Sequence, residues 1–314
     1  FHTIRDNDIQ AITYDNARLW VCTRDSLFTY NRVEDRLDYY YNLEGVRMSC
    51  VTEDSAGNLY VGTMNNGLYM IDHNKKWLNY FPKKDITCIY EDSKKSIWVG
   101  TKDDGLFRLD RNGGITNYGT APHQNMLSSS YVRCVVEDNL GNYWIGTFKG
   151  LDKLDVTTGT FTHYSKDNKP YSLSNSSIIC MMKDRQGTFW IGTYYGGVNL
   201  FNPDYEIYTY YYPDESQKGK LTSPFAGRMT EDSNGGIWIA TEGGGVNYLD
   251  KKTKTFTEYK HDATKNSLAS NTIQGLFLDE DNHALWIGTL RGGLDRLDLK
   301  TYQFTNYRHN AEKK

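Results

Sequence analysis

The chain has 314 residues, a formal net charge of −3 and 38% apolar residues, enough for a buried core but without the basic face that nucleic acid or an anionic membrane requires. No apolar run reaches the roughly 18 residues of a membrane helix, and Phe1 does not open a basic-then-apolar signal segment. The chain is therefore expected to be soluble, with any targeting segment removed. With 25 Tyr against 12 Phe, half-buried strands and wet faces are favoured over a sealed helical core.

Read from the amino terminus, Phe1-His2-Thr3-Ile4 already has the pattern of an outer strand. A first inner strand follows at Ile9-Gln10-Ala11-Ile12, and then the motif that organises the whole chain. It reads Trp20-Val21-Cys22-Thr23, Tyr60-Val61-Gly62-Thr63, Trp98-Val99-Gly100-Thr101, Trp144-Ile145-Gly146-Thr147, Trp190-Ile191-Gly192-Thr193, Trp238-Ile239-Ala240-Thr241 and Trp286-Ile287-Gly288-Thr289. The copies lie 38 to 48 residues apart, a period shared by four-stranded propeller blades and by helical HEAT or armadillo units. Each copy is β-branched and aromatic, with Gly, Asn and Asp every 8 to 12 residues and no helical periodicity, so propeller blades are predicted.

Four strands can be placed in each copy. An inner strand apolar on both faces, such as Ile86-Thr87-Cys88-Ile89 or Val132-Arg133-Cys134-Val135, suits packing between neighbouring blades. A tight turn follows, as in Glu137-Asp138-Asn139-Leu140-Gly141-Asn142, where Asp and Gly supply the turn geometry. The Trp strand is second. A third begins at Gly105, Gly150, Gly197, Gly245 or Gly293, and a fourth, rich in Thr and Tyr, runs through Phe161–Tyr164 or Phe304–Tyr307 as a partly wet edge. The expected architecture is all-β: one seven-bladed β-propeller over 1–314, four antiparallel strands per blade, with repeats near 5–44, 45–82, 83–119, 120–165, 166–212, 213–260 and 261–310. The ring is closed either by Phe1–Ile4 pairing into the last blade or by Gln303–Arg308. Both ends suggest a segment cut from a longer array.

The six anchor Trp and Tyr60 are read as wedges between blades, since a ligand site does not recur identically in every blade; the repeated Asp is read as a turn-former before a calcium ligand. Cys50, Cys88, Cys134 and Cys180 share one inner-strand position, which Ala11 and Gly275 fill in other copies. They are small residues at a crowded place, too far apart for disulfides, and no Cys or His pair has zinc spacing. No metal or cofactor is expected. Nucleophile motifs and phosphate-binding Gly loops are absent from the sequence, and a glycosidase would need two facing carboxylates, for which Asp103, Asp104 and Glu242 are the exposed candidates on blades that are not neighbours. No catalytic residue is assigned.

Ser174-Asn175-Ser176-Ser177-Ile178, Asp184-Arg185-Gln186-Gly187, Trp190-Ile191-Gly192-Thr193 and Gly196-Gly197-Val198-Asn199 together resemble the two-component regulator propeller repeat. The resemblance runs through all seven copies and is weakest in the first, where Cys22 replaces the motif Gly. It implies the periplasmic sensor region of a bacterial hybrid two-component system, with an oligosaccharide ligand and further parts of the chain: a second propeller, an immunoglobulin-like domain, a membrane helix and a histidine kinase. A homodimer fits the same pattern, and nucleic acid does not contact this segment. The alternatives are a propeller glycoside hydrolase or lyase, and a pure protein-interaction scaffold.

Function is expected where the copies disagree. Linkers between blades are short after Tyr40 and Phe81 but long after Tyr118, Tyr164, Tyr211 and Tyr259, where they carry His123, Lys169-Pro170-Tyr171, Tyr212-Pro213 and His261-Asp262. Turn tips on the same face present Arg24, Asn65, Lys102, Asp103, Lys149, Tyr194, Tyr195, Glu242 and Arg291, and these nine are the candidate ligand-binding residues. Within them Tyr194, Tyr195, Glu242 and Arg291 offer the aromatic faces and polar groups that hold sugars. The run Tyr208–Tyr212 could instead serve a protein interface.

Overall fold

The structure is a computed structural model describing residues 8–15, 18–43, 45–72, 74, 76–119, 126–167, 172–202, 207–213 and 219–308, with the backbone alone for 207–210. Phe1–Ile4, His123 and Lys169–Tyr171 lie outside the described residues. Seven four-stranded sheets follow one another along the chain, each paired antiparallel in chain order. The innermost strands are Ile9–Asp15, Arg47–Glu53, Ile86–Glu91, Val132–Glu137, Ile178–Lys183, Ala226–Glu231 and Ile273–Asp279. Each lies against the next, and the last lies against the first, so the sheets form a ring.

The core is seven separate clusters, one at each junction between blades. Trp144 packs with Cys134 and Leu151 of its own blade and with Leu173, Ile178 and Ile191 beyond it. Trp98 meets Val132, Tyr143 and Ile145 in the same way, and Tyr60 stands in the equivalent cluster with Ile86 and Val99. Trp286 of the seventh blade packs on Ile9, Leu19, Val21 and Phe28 of the first. The anchor aromatics are therefore wedges between blades. At the closing junction the outer strand of the seventh blade is Phe304–Tyr307, and buried Tyr307 joins the same cluster.

The turn Asp has a second task besides shaping the turn. Asp138 Oδ1 accepts the backbone N–H groups of Leu140 and Asn142 at 2.9 and 2.8 Å, while Oδ2 accepts the Trp144 indole N–H at 3.0 Å. Asp92–Trp98 and Asp184–Trp190 repeat the bond at 2.9 and 3.0 Å. Burial works against the Asp92 carboxylate, but the bonds from Trp98, Ser96 and Tyr143 outweigh it and hold the pKa below the ordinary value. A carboxylate six residues before the Trp thus ties a tight turn to the wedge. In the sixth blade the Tyr248 hydroxyl takes Asp232 Oδ2 at 2.9 Å, and the indole N–H of Trp238 is buried without a partner.

The last residue of the inner strand clasps the preceding blade. Glu137 accepts the Ser93 backbone N–H at 2.7 Å and its hydroxyl at 2.6 Å, and Glu91 holds Ser55 likewise at 2.9 and 2.7 Å. Where Lys183 replaces the Glu, its ammonium donates instead to Asn139 Oδ1 at 3.2 Å.

The motif Gly is required by space. A Cβ on Gly146 would lie 2.5 Å from Cys134 Sγ and 2.6 Å from Ile178 Cγ2 of the next blade. Gly100 is confined in the same way by Cys88 and Val132, at 2.5 and 2.9 Å. In the first blade the arrangement is exchanged: Cys22 pairs with the small Ala11, and the residue approaching from the next blade is the unbranched Met48, with sulfurs 3.6 Å apart. The departure of that copy from the motif is a volume-conserving swap. The five cysteines are buried and free; burial raises the Cys50 and Cys180 thiols to about 11 and Cys88 to about 12, so they are unreactive packing residues.

Candidate functional site

Long linkers could not face solvent in one conformation without anchors, and the third strand provides them. Leu127, Leu173, Leu221 and Leu268 are buried linker residues. The next residue in each case donates its backbone N–H to a buried third-strand side chain. These bonds are Ser128 to Asp152 at 2.8 Å, Ser174 to Asn199 at 2.9 Å, Thr222 to Asn247 at 3.1 Å and Ala269 to Asp295 at 2.7 Å. After the short linkers the equivalent positions are Tyr69 and Phe107, so the anchor occurs where a long linker needs it. Burial pushes the Asp295 carboxyl up to about 6 despite the bonds from Ala269 and Asn306. His261 and Asp262 are consumed inside their linker: the His261 ring nitrogen lies 2.6 Å from the Leu268 carbonyl, and Asp262 accepts the Thr264 N–H at 2.9 Å.

The turn tips do not act as one set. Asp85 accepts the Asn65 backbone N–H and lies 3.9 Å from the Lys102 ammonium, Lys84 pairs with Asp104 at 2.7 Å, and the Arg24 carbonyl accepts the Met48 N–H at 2.8 Å. In the first three blades the tips thus secure short linkers. Asp103, Lys149 and Arg291 are exposed. Tyr194 and Tyr195, 44% and 58% exposed, form one aromatic group with Phe225, their centroids 5.1 and 4.0 Å from its ring. Of the run Tyr208–Tyr212, Tyr211 stacks on Trp190 at 6.3 Å and Tyr212 is exposed; the side chains of 208–210 are not described.

Tyr194 and Glu242 share a cavity of about 330 Å³ whose other walls come mostly from inner strands, which places it at the mouth of the ring axis. Its polar wall is Gln10, Ser49, Arg228, Thr272 and Gln274, and its apolar wall includes Phe225 and Ile179. Tyr195, Arg291, Lys149, Lys102, Asp103, Asn65 and Arg24 are not part of this wall. The cavity exists because every inner strand carries an irregularity near its start. Pairing with the second strand skips Ser49, Thr87 and Arg133, for example, and in the sixth blade it resumes only after both Gly227 and Arg228. At the skipped position Ser49, Thr87 and Arg133 donate to the first-strand carbonyl of the next blade, at 2.6, 2.5 and 3.0 Å. Ile179 and Gly227 have no side-chain donor, and there the space stays open.

Arg228 was not among the sequence candidates. Its signal was available: it stands where the other six copies have Ala11, Cys50, Cys88, Cys134, Cys180 and Gly275.

Three stretches, residues 80–103, 126–149 and 172–195, match the model described as two component regulator propeller. These stretches carry that repeat. No curated protein matches the chain in sequence. The extracellular domain of the hybrid two component system BT3049 from B. thetaiotaomicron superposes with a TM-score of 0.78 at 23% identity, covering 94% of this chain. The chain spans 40% of that ectodomain's length. Virginiamycin B lyase from Staphylococcus aureus superposes with a TM-score of 0.71 at 15% identity, covering 92% of this chain and 94% of the lyase. PorZ of Porphyromonas gingivalis gives 0.71 at 18% identity, over 94% of this chain and 47% of PorZ. At such identities these likenesses concern the fold.

Proposed function

We propose that this propeller is a non-catalytic ligand-sensing and docking module of a periplasmic hybrid two-component sensor, and that its ligand is a glycan-derived oligosaccharide. The observation that carries the reading is the axial cavity with its aromatic rim, Tyr194 and Phe225, set among polar side chains on a rigid ring. Aromatic faces receive the C–H surfaces of sugars and the polar wall their hydroxyls. The repeat matched at three places supports a two-component role, and the similar ectodomain belongs to a hybrid two component system.

Catalysis has less support. A two-carboxylate hydrolysis requires facing acids about 5–9.5 Å apart, and among the described residues the cavity wall holds one carboxylate, Glu242. A virginiamycin B lyase of this fold is described as inactive once a histidine is replaced by alanine; among the described residues the cavity wall here contains no histidine. Binding without turnover would act by shifting this rigid body against other parts of a longer chain. A second propeller and an immunoglobulin-like domain of that chain are the proposed neighbours. PorZ is described as an essential surface component of a secretion system, which keeps the pure scaffold as the second reading.

The test is calorimetric titration of the chain with a panel of oligosaccharides, together with analysis of the mixtures for products. Binding of at least one oligosaccharide is expected, reduced more than tenfold by Tyr194→Ala with Tyr195→Ala at an unchanged melting temperature. Equal affinity in the double variant would move the site elsewhere, and any cleaved product would replace the sensor reading with the enzyme reading.

A further inference from the structure

Among the described residues the axial cavity is lined by two charged ones, Arg228 and Glu242, and they do not neutralise one another. No ion pair joins them, and neither side chain has a hydrogen-bond partner among the described residues. Glu242 belongs to the turn tip after Ile237–Thr241, at the rim. Arg228 belongs to the inner strand Ala226–Glu231, where its exposed side chain lines the cavity. Its guanidinium is felt by the buried thiols of Cys50, Cys88, Cys134 and Cys180, which lie on four other inner strands. A cation sensed from four blades stands near the axis they surround.

Position and surroundings together are unusual for an arginine of structural purpose. The other six copies fill this position with Ala, Cys or Gly, so the blade does not require a long side chain there. Arg133, one position earlier in its own blade, is fully used: it donates to Ser177 Oγ and the Ile178 carbonyl, at 2.9 and 3.0 Å, and lies over Tyr131 at 4.5 Å. Arg228 has no such bond. Five N–H donors on a planar fork, facing a cavity whose other polar groups are the Gln10 and Gln274 amides and the Ser49 and Thr272 hydroxyls, form a receptor for a planar or tetrahedral oxyanion.

Resting on the glycan reading above, we propose that the ligand is an acidic oligosaccharide whose anionic group sits on Arg228 at the ring axis. The sugar ring bearing that group lies against Tyr194 and Phe225, and Glu242 at the rim accepts hydroxyls while repelling a second anion. A carboxylate of a uronic acid and a sulfate ester share this chemistry. The cavity of about 330 Å³ accommodates one or two sugar rings and no longer segment, so recognition concerns a chain end.

The experiment compares a neutral disaccharide, the same disaccharide with a glucuronate in place of one glucose, and its sulfate ester. Each is titrated into the wild-type chain, Arg228→Gln and Arg228→Lys at low and at physiological salt. At least one acidic form is expected to bind the wild type more than tenfold tighter than the neutral one. Arg228→Gln should lose about 10- to 100-fold for that form and nothing for the neutral one. Arg228→Lys should retain the charge-dependent part without the bidentate fit, and the preferred acidic form separates carboxylate from sulfate. Neutral and acidic forms binding alike, or an Arg228→Gln variant with full affinity for the acid, would overturn the proposal and leave the glycan reading standing. If no disaccharide binds, glucuronate alone is added in a melting experiment: stabilisation of the wild type and not of Arg228→Gln retains the anion site and removes the glycan reading, and no stabilisation removes both.

Discussion

Asp138→Ala tests the claim that the turn carboxylate holds the wedge between blades. The substitution removes four hydrogen bonds: those from the Leu140 and Asn142 backbone at 2.9 and 2.8 Å, from the Asn142 amide at 3.2 Å and from the Trp144 indole at 3.0 Å. Asp138 is 4% and Trp144 1% exposed, so water does not replace what the indole loses. An orphaned buried donor costs about 1–3 kcal/mol and a bond to a charged acceptor about 1.5–3 kcal/mol; since one turn carries all four, a total of about 3–5 kcal/mol is expected. For a chain of this length that is a fall in melting temperature of roughly 6–10 °C, at about 2 °C per kcal/mol. Differential scanning calorimetry and urea unfolding measure it. Trp144→Phe in the Asp138→Ala background removes the orphan N–H and should add much less than it costs in the wild type. The sixth blade shows the indole part of this change alone, since Asp232 bonds Tyr248 in place of Trp238 while still holding the turn through the Asn234 and Gly236 N–H groups. A loss below about 1 kcal/mol for Asp138→Ala, or strictly additive effects of the pair, would refute the coupling of turn and wedge.

Gly146→Ala should destabilise by about 1–3 kcal/mol through overpacking, because its Cβ would meet Cys134 Sγ at 2.5 Å and Ile178 Cγ2 at 2.6 Å. Adding Cys134→Ala should recover part of this, as the pairing of Ala11 with Cys22 does naturally; no recovery in chemical denaturation would reject the volume argument. Asp295 gives a pH dependence of definite sign. Its folded pKa, raised by burial to about 6 from 3.8, means that the native state holds a proton the unfolded chain has released between those values. Stability from this group is therefore complete below about pH 4 and falls by about 3 kcal/mol as pH rises through 6. Asp295→Asn, which copies Asn199 and Asn247 of the two preceding blades, should remove that slope, and identical pH profiles of variant and wild type in urea unfolding would contradict it.

The blades were legible because their determinants are local and repeated. Alternation, the Asp–Gly turn and the Trp–Ile–Gly–Thr strand each act within a few residues, and seven repetitions average out any copy that departs. The same repetition conceals how the turn tips differ. Equivalent positions in a ring point to different neighbours: Tyr194 and Glu242 reach the axial cavity, while Asn65 and Lys102 turn to Asp85.

By itself the sequence determined a seven-bladed all-β ring, the packing role of the aromatic wedges and the face on which the copies diverge, since each of these follows from the period and type of side chains along one blade. Only the tertiary structure decided that Tyr307 of the Phe304–Tyr307 strand packs into the closing junction with the first blade, that buried Asp and Asn side chains anchor the long linkers, and that Arg228 lines the axial cavity with no hydrogen-bond partner among the described residues. Such facts depend on residues from different blades meeting in space. A charge becomes a binding group through the partners it lacks, and partners across a ring are not written in the order of the chain.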